Sequence, residues 1–269
     1  MLVEISIKCR NGNYIHGFKK VSGEKADHPL VYVPGLSGVA DDGVALIESL
    51  EGSEHITLSM RGRGKSDAPD TGYRVDDHAA DLADVLNSMD LENYVLHGYS
   101  VAVLYILLAA NTVKTAPSAL ILGDYPPYEK RFVDGWSESF SKISLFGKSV
   151  LENISLKVLS EIQAASQDRD SDEFLKGVSC PVLVLSGANS NTPPAAMLTQ
   201  NDFNIYRSYI PEVFVYKIDG AGHFFRETHR NEYTKAISDF LLSLSNRKLW
   251  QSQTGDKKEN NCCGSNECR

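Results

Sequence analysis

The sequence predicts an α/β architecture: a mostly parallel, eight-stranded sheet with helices on both faces and a small helical cap inserted late in the chain. Three observations predict it. Six short runs are almost wholly apolar, as strands buried on both faces are, and amphipathic or helix-forming stretches separate most of them. The segment Tyr94 to Ala102 ends an apolar run on a serine set between small residues, directly before the helix-forming Leu104, Ile106, Leu107, Leu108, Ala109 and Ala110. Finally, 42% of the 269 residues are hydrophobic, enough for a sizeable core.

In chain order, Val3 to Lys8 and Tyr14 to Lys19 alternate side chains as strands do, and the Asn11-Gly12 pair between them signals a hairpin. Leu30 to Pro34 is an apolar strand running into Gly35-Leu36-Ser37-Gly38, after which Asp41 and Asp42 lead a helix to Leu50, acids at its positive end. His55 to Ser59 forms the fourth strand and ends in the loop Arg61-Gly62-Arg63-Gly64-Lys65-Ser66. From Asp76 to Met89, Ala79, Leu82, Ala83 and Leu86 recur at helical spacing. Ser118 to Leu122, Pro181 to Ser186 and Val213 to Ile218 are further strands, and a closing helix spans roughly 227–244. The division that follows is a core of residues 1–125 and 178–245, a helical cap over 126–177 and a disordered tail over 246–269.

A formal charge of −8 and a pI near 5.4 disfavour nucleic acid or an anionic membrane as partner. The apolar run from Val101 to Ala110 is far short of the roughly 20 residues that span a bilayer. The N-terminus lacks a basic region followed by an apolar core, so no secretion signal is read. Cys9 and Cys180 stand alone while Cys262, Cys263 and Cys268 crowd the tail, unlike a disulfide framework and without metal-ligand spacing. A cytoplasmic protein is the expectation; the oligomeric state is unreadable.

Gly98-Tyr99-Ser100-Val101-Ala102 departs from the G-x-S-x-G signature of a nucleophile elbow only at its last position. The strand before and the helix after supply the context that a lone motif needs. His97, ahead of the elbow glycine, reads as a packed core histidine. Together with the strand order and the late Gly220-Ala221-Gly222-His223-Phe224-Phe225, the elbow resembles the α/β-hydrolase superfamily over roughly residues 1–245.

That resemblance implies Ser100 as nucleophile, His223 as general base, and the backbone N–H groups of Leu36 and Val101 as an oxyanion hole. Imidazole titrates near neutral pH and so can take the serine proton and return it. Relatives usually carry an acid a few residues after the seventh strand, but Gly187-Ala188-Asn189-Ser190-Asn191 offers no carboxylate. A known variation puts the acid at the end of strand six, where Asp124 stands; Asp219, Asn189 or water are the alternatives. Relatives also carry an Arg-Gly-x-Gly-x-Ser turn for structural reasons, which covers Arg61 to Ser66. Tyr99, Tyr128, Trp136 and Phe224 are candidates for lining a substrate pocket, with packing of the cap as the competing role for the cap residues. Three activities fit: a serine hydrolase working on an ester, thioester, lactone or amide of a small molecule, for which the resemblance implies no metal or cofactor; a lyase or epimerase on the same scaffold; and a ligand-binding receptor with weak turnover.

Overall fold

The computed structural model describes residues 1–189, 191 and 193–246. Strands β1 (Leu2–Lys8) and β2 (Tyr14–Lys20) form the opening hairpin, turning at Gly12 with a φ of +92°. Then β3 (Leu30–Val33), α1 (Asp41–Ser49), β4 (Ile56–Leu58), α2 (Val75–Ser88), β5 (Val95–Tyr99), α3 (Ala102–Ala110) and β6 (Ala119–Gly123) alternate. The insertion holds α4 (Trp136–Ser141), the hairpin β7 (Ser144–Leu145) and β8 (Lys148–Ser149), a 3-10 turn over Val150–Glu152, α5 (Leu156–Ala165) and α6 (Ser171–Leu175). After it come β9 (Val182–Gly187), α7 (Gln200–Tyr209), β10 (Val213–Ile218), α8 (Phe225–Thr228) and α9 (Arg230–Ser245).

The main sheet has eight strands in the order β1-β2-β4-β3-β5-β6-β9-β10. β2 pairs antiparallel with both β1 and β4, and every pairing from β4 to β10 is parallel. The strand order reverses between β3 and β5, and a crevice at such a reversal, beyond the carboxyl ends of the strands, is where open α/β sheets bind ligands. The loops after β3 and β5 carry Leu36 and Ser100.

Strand periodicity divides the core in two. Val31, Val33, Leu96, Leu120, Leu122, Val182 and Val184 face the layer that includes Leu82, Leu104, Phe203 and Tyr206, from α2, α3 and α7. Their neighbours Leu30, Tyr32, Val95, Ala119, Ile121, Leu183 and Leu185 face Leu46 of α1 and Tyr233, Ile237 and Phe240 of α9. Each such aliphatic side chain withdrawn from water stabilises the fold by ~1.5–3 kcal/mol. A third cluster of Tyr73, Ile154, Val158, Leu159 and Ile162 holds the insertion over the sheet edge, with Leu36, Phe132, Trp136 and Phe140 packed against it.

Four differences from the sequence expectation have local causes. Helix α7 has only Phe203 and Tyr206 as buried apolar residues, so its hydrophobic pattern is thin; it is set by the capping box of Thr199 and Asp202. The insertion is not wholly helical, because Phe146-Gly147, both with positive φ, turn a short hairpin. Its last helix puts Phe174 and Leu175 into the core layer that also holds α3, so residues near 175 pack with the sheet rather than with the cap cluster. The closing helix is two helices, broken at His229. Of the predicted tail only Asn246 is among the described residues; its three cysteines lie outside them. Among the described residues no helix is long and apolar enough to cross a membrane.

His97 is fully buried between sheet and α9. Its Nδ1 is 2.9 Å from the Ile121 carbonyl and its Nε2 is 2.7 Å from the Tyr233 hydroxyl. Burial pushes its pKa down to about 4. An unfolded histidine titrates near ~6.5, so between that pH and about 4 the unfolded chain binds the extra proton. His97 therefore contributes stability above pH ~6.5 that is lost as pH falls towards 4, on the order of 3 kcal/mol at most. Urea unfolding at pH 7 and pH 4.5 will show a smaller acid-induced loss in His97→Gln than in wild type; an identical loss contradicts this.

At the end of β5, a Cβ on Gly98 would lie 2.5 Å from the Ala102 carbonyl oxygen and 2.7 Å from its carbon, both backbone. Gly98→Ala is expected to lower stability by about 1–3 kcal/mol, read by thermal denaturation. An unchanged Tm would mean that β5 and α3 are not in this close contact.

Candidate active site

Ser100 occupies the turn between β5 and α3 with a φ of +55°, a strained conformation for a residue with a side chain. Two hydrogen bonds hold it there: its N–H donates to the Gly123 carbonyl at 2.7 Å, and its carbonyl accepts from Val103 at 2.8 Å. The turn lifts the side chain out of the sheet, and Ser100 stays partly exposed after the buried strand that leads to it. Ala102, where the motif departs from glycine, is fully buried at the start of α3 and has room for its methyl group. The glycine that the turn cannot do without is Gly98.

His223 lies in the loop after β10 and is 8% exposed. Its backbone N–H donates to the Pro194 carbonyl at 2.8 Å, and its carbonyl accepts from the Tyr99 hydroxyl. Burial holds the Tyr99 phenol well above its ordinary pKa, so it remains a donor. The imidazole Nε2 is 3.1 Å from Ser100 Oγ and Nδ1 is 2.8 Å from Asp124 Oδ2. With Nδ1–H donating to the carboxylate, Nε2 is left free to accept from the serine hydroxyl.

Asp124 follows the last residue of β6 with a φ of +46°, which aspartate tolerates better than most residues, and is fully buried. Its carboxylate also accepts from Ser186 Oγ at 2.9 Å and from the Met197 N–H at 3.0 Å. Three donors satisfy this one buried carboxylate. Asp124 is thus the carboxylate in contact with the imidazole. Ser186 and Met197 were not foreseen from sequence, since neither residue type signals a partner for a distant acid.

Gly35 brings the loop after β3 against the serine: a Cβ there would sit 3.0 Å from Ser100 Cβ. Gly38 N–H donates to the Gly35 carbonyl at 3.0 Å, closing a turn with Leu36 and Ser37 at its centre. Among the described residues, neither the Leu36 nor the Val101 N–H has an intramolecular acceptor. Both residues are partly exposed beside Ser100. Two open donors next to one hydroxyl can receive a developing negative charge.

The four pocket candidates fall in different places. Phe224 adjoins the imidazole, ring centroids 5.3 Å apart, and meets the exposed Phe146 of the cap hairpin edge-on at 5.6 Å. Trp136 stacks between Phe132 at 3.8 Å and Phe140 at 5.2 Å, in the cluster that also packs Leu36. Tyr128 engages Asp202 of α7. Tyr99 is buried beneath the site and supports His223 rather than lining a pocket. Phe146 was missed, because nothing in a Phe-Gly pair says which loop its hairpin will reach. Of the residues weighed as acid, Asp124 alone is joined to His223 among the described contacts.

Comparison with known proteins agrees with this architecture. Residues 28–111, which span the loop after β3 and the Ser100 elbow, match a family model described as alpha/beta hydrolase fold. The chain is 23% identical over 220 residues to 2-(acetamidomethylene)succinate hydrolase of Mesorhizobium japonicum, covering 69% of this chain and 77% of that one. Among solved structures, an esterase from Exiguobacterium antarcticum superposes with a TM-score of 0.73 at 20% identity, over 90% of this chain and 100% of the other. A bromoperoxidase from Bacillus anthracis gives 0.74 at 19% identity, over 89% of this chain and 100% of the other. The sheet order, the strained serine turn at the strand-order reversal and these matches lead to one conclusion: the chain has the α/β-hydrolase fold.

Proposed function

We propose that this protein is a serine hydrolase that cleaves an ester, thioester, lactone or amide bond of a small molecule through an acyl-enzyme. The observation that carries the reading is the unbroken hydrogen-bonded chain from Ser100 Oγ through His223 to Asp124, with two unengaged N–H groups at its serine end. His223 Nε2 takes the Ser100 proton as Oγ bonds to the substrate carbonyl carbon. The N–H groups of Leu36 and Val101 hold the oxyanion, a contribution of ~3 kcal/mol per donor in comparable sites. His223 then passes the proton to the leaving alkoxide, thiolate or amine as its bond to the carbonyl carbon breaks. Water, deprotonated by the same imidazole, releases the acid and returns the proton to Ser100. Asp124 keeps the ring in the tautomer with Nδ1–H and stabilises the imidazolium. Every step uses groups of the chain itself.

The hydrolase and esterase names borne by the relatives agree with this reading. The apolar surroundings of the serine, with Leu36, Trp136, Phe224 and Phe146 near the two loops, favour an uncharged organic group on at least one side of the scissile bond.

A fluorophosphonate probe should label wild-type protein and fail to label Ser100→Ala and His223→Ala. Asp124→Asn should keep the fold and lower turnover of p-nitrophenyl acetate by about 10⁴-fold. No labelling at neutral pH, with a compound still bound, would replace the enzyme by a receptor. Labelling of Ser100→Ala would move the nucleophile elsewhere.

A further inference from the structure

Arg63 is 1% exposed and heads the largest fully buried side chains of the molecule. Its neighbour in the same loop, Arg61, is buried in the ordinary way: its Nε and Nη2 meet both oxygens of Asp81 at 2.5 and 2.6 Å. Arg63 has no carboxylate partner among the described residues. Its Nε donates to the Leu36 carbonyl at 2.9 Å and its Nη1 to the Arg61 carbonyl at 2.6 Å. Nη1 also lies 2.5 Å from His78 Nε2, and Nη2 is 3.5 Å from the Tyr105 hydroxyl.

His78 Nδ1 is 2.8 Å from the Arg74 carbonyl, which requires the proton on Nδ1 and leaves Nε2 as an acceptor for Arg63. The ring lies flat on Tyr105, centroids 4.4 Å apart. The partners are thus two carbonyls, a neutral imidazole and a phenol, and none of them cancels the charge. A buried cation without a counter-ion is costly. An arginine needed only to tie the loop down would be served by a carboxylate, as Arg61 is.

The Leu36 carbonyl is the oxygen of the central peptide in the Gly35–Gly38 turn. From the other side Asn153 of the cap donates its Nδ2 to the Ser37 carbonyl at 3.1 Å, while its own carbonyl accepts from Gly64 at 2.9 Å. Both carbonyls at the centre of the turn are therefore clamped, while the Leu36 N–H beside Ser100 has no acceptor among the described residues. We infer that Arg63 is a positioning residue for the oxyanion site: its guanidinium fixes the Leu36–Ser37 peptide, and its unpaired charge favours the anion that forms beside Leu36.

The inference rests on the serine hydrolase reading, and the experiment separates the two. Arg63→Met keeps the length of the side chain and removes charge and fork; Arg63→Lys keeps the charge alone. Each is assayed by the rate of inactivation with a fluorophosphonate and by kcat and KM for p-nitrophenyl acetate. A first-order inactivation rate does not depend on how much protein has folded, so a poorly folding variant still reports. Arg63→Met is expected to lower kcat and inactivation by roughly 10- to 100-fold, with KM within about threefold of wild type. Arg63→Lys should regain part of the rate even where it is the less stable of the two.

Rates for Arg63→Met within twofold of wild type overturn the inference and leave the hydrolase reading intact. A loss confined to KM, or one equal in the methionine and lysine variants, assigns Arg63 to scaffolding alone and overturns it too. If wild-type protein is not labelled, the hydrolase reading fails and this inference falls with it.

Discussion

The structure depends on the close approach of β5 to α3 at Gly98, where nothing larger than hydrogen clears the Ala102 backbone. That contact forces the chain to turn within two residues. The turn forces Ser100 into positive φ, and positive φ raises its hydroxyl above the strand ends. Such strain persists only where the surroundings over-determine it. Here the sheet ladder continues past the strand termini, with Ser100 N–H on Gly123 and Asp124 N–H on Leu185, so the serine and the aspartate are fixed to the same hydrogen-bonded frame.

Because the frame is a sheet, a carboxylate at the end of β6 and an imidazole after β10 can meet across it. Neighbouring strands lie ~4.8 Å apart, and β6 sits between β5 and β9. A carboxylate after β6 is one strand nearer the serine than one after β9, and a positive φ at Asp124 directs it to the same imidazole. The loop after β9 then has another task. It presents Asn189, whose N–H donates to the Ala221 carbonyl, and Pro194, whose carbonyl accepts from His223, so it shapes the histidine loop from behind. Strand β9 itself supplies Ser186 to the Asp124 carboxylate.

The insertion meets the loops beside Ser100 by apolar contact and one polar clamp. Trp136, Phe132 and Phe140 form a stacked ladder over the cluster that includes Leu36, and Phe146 reaches the Phe224 edge beside the imidazole. Asn153 joins the insertion to both the Leu36 turn and the arginine loop.

Periodicity and small-residue placement alone determined the eight strands, the core helices α1, α2 and α3 and the serine turn, but not α7. Those features are local: a strand needs its alternation or apolar run, and the elbow needs Gly98 and a helix-forming sequence after it. Resemblance added His223, and it left Asp124, Asp219 and Asn189 in competition. No local signal separates a turn-capping aspartate from one whose oxygen meets a ring 99 residues away. Tertiary structure joined Asp124 to that ring, placed the Tyr99 hydroxyl on the His223 carbonyl, and set a fully buried Arg63 under Leu36 in a loop whose sequence reads as a simple glycine turn. The physical reason is common to all three. Side-chain reach, burial and hydrogen-bond partnership across the sheet are properties of the packed fold, and spacing along the chain does not encode them.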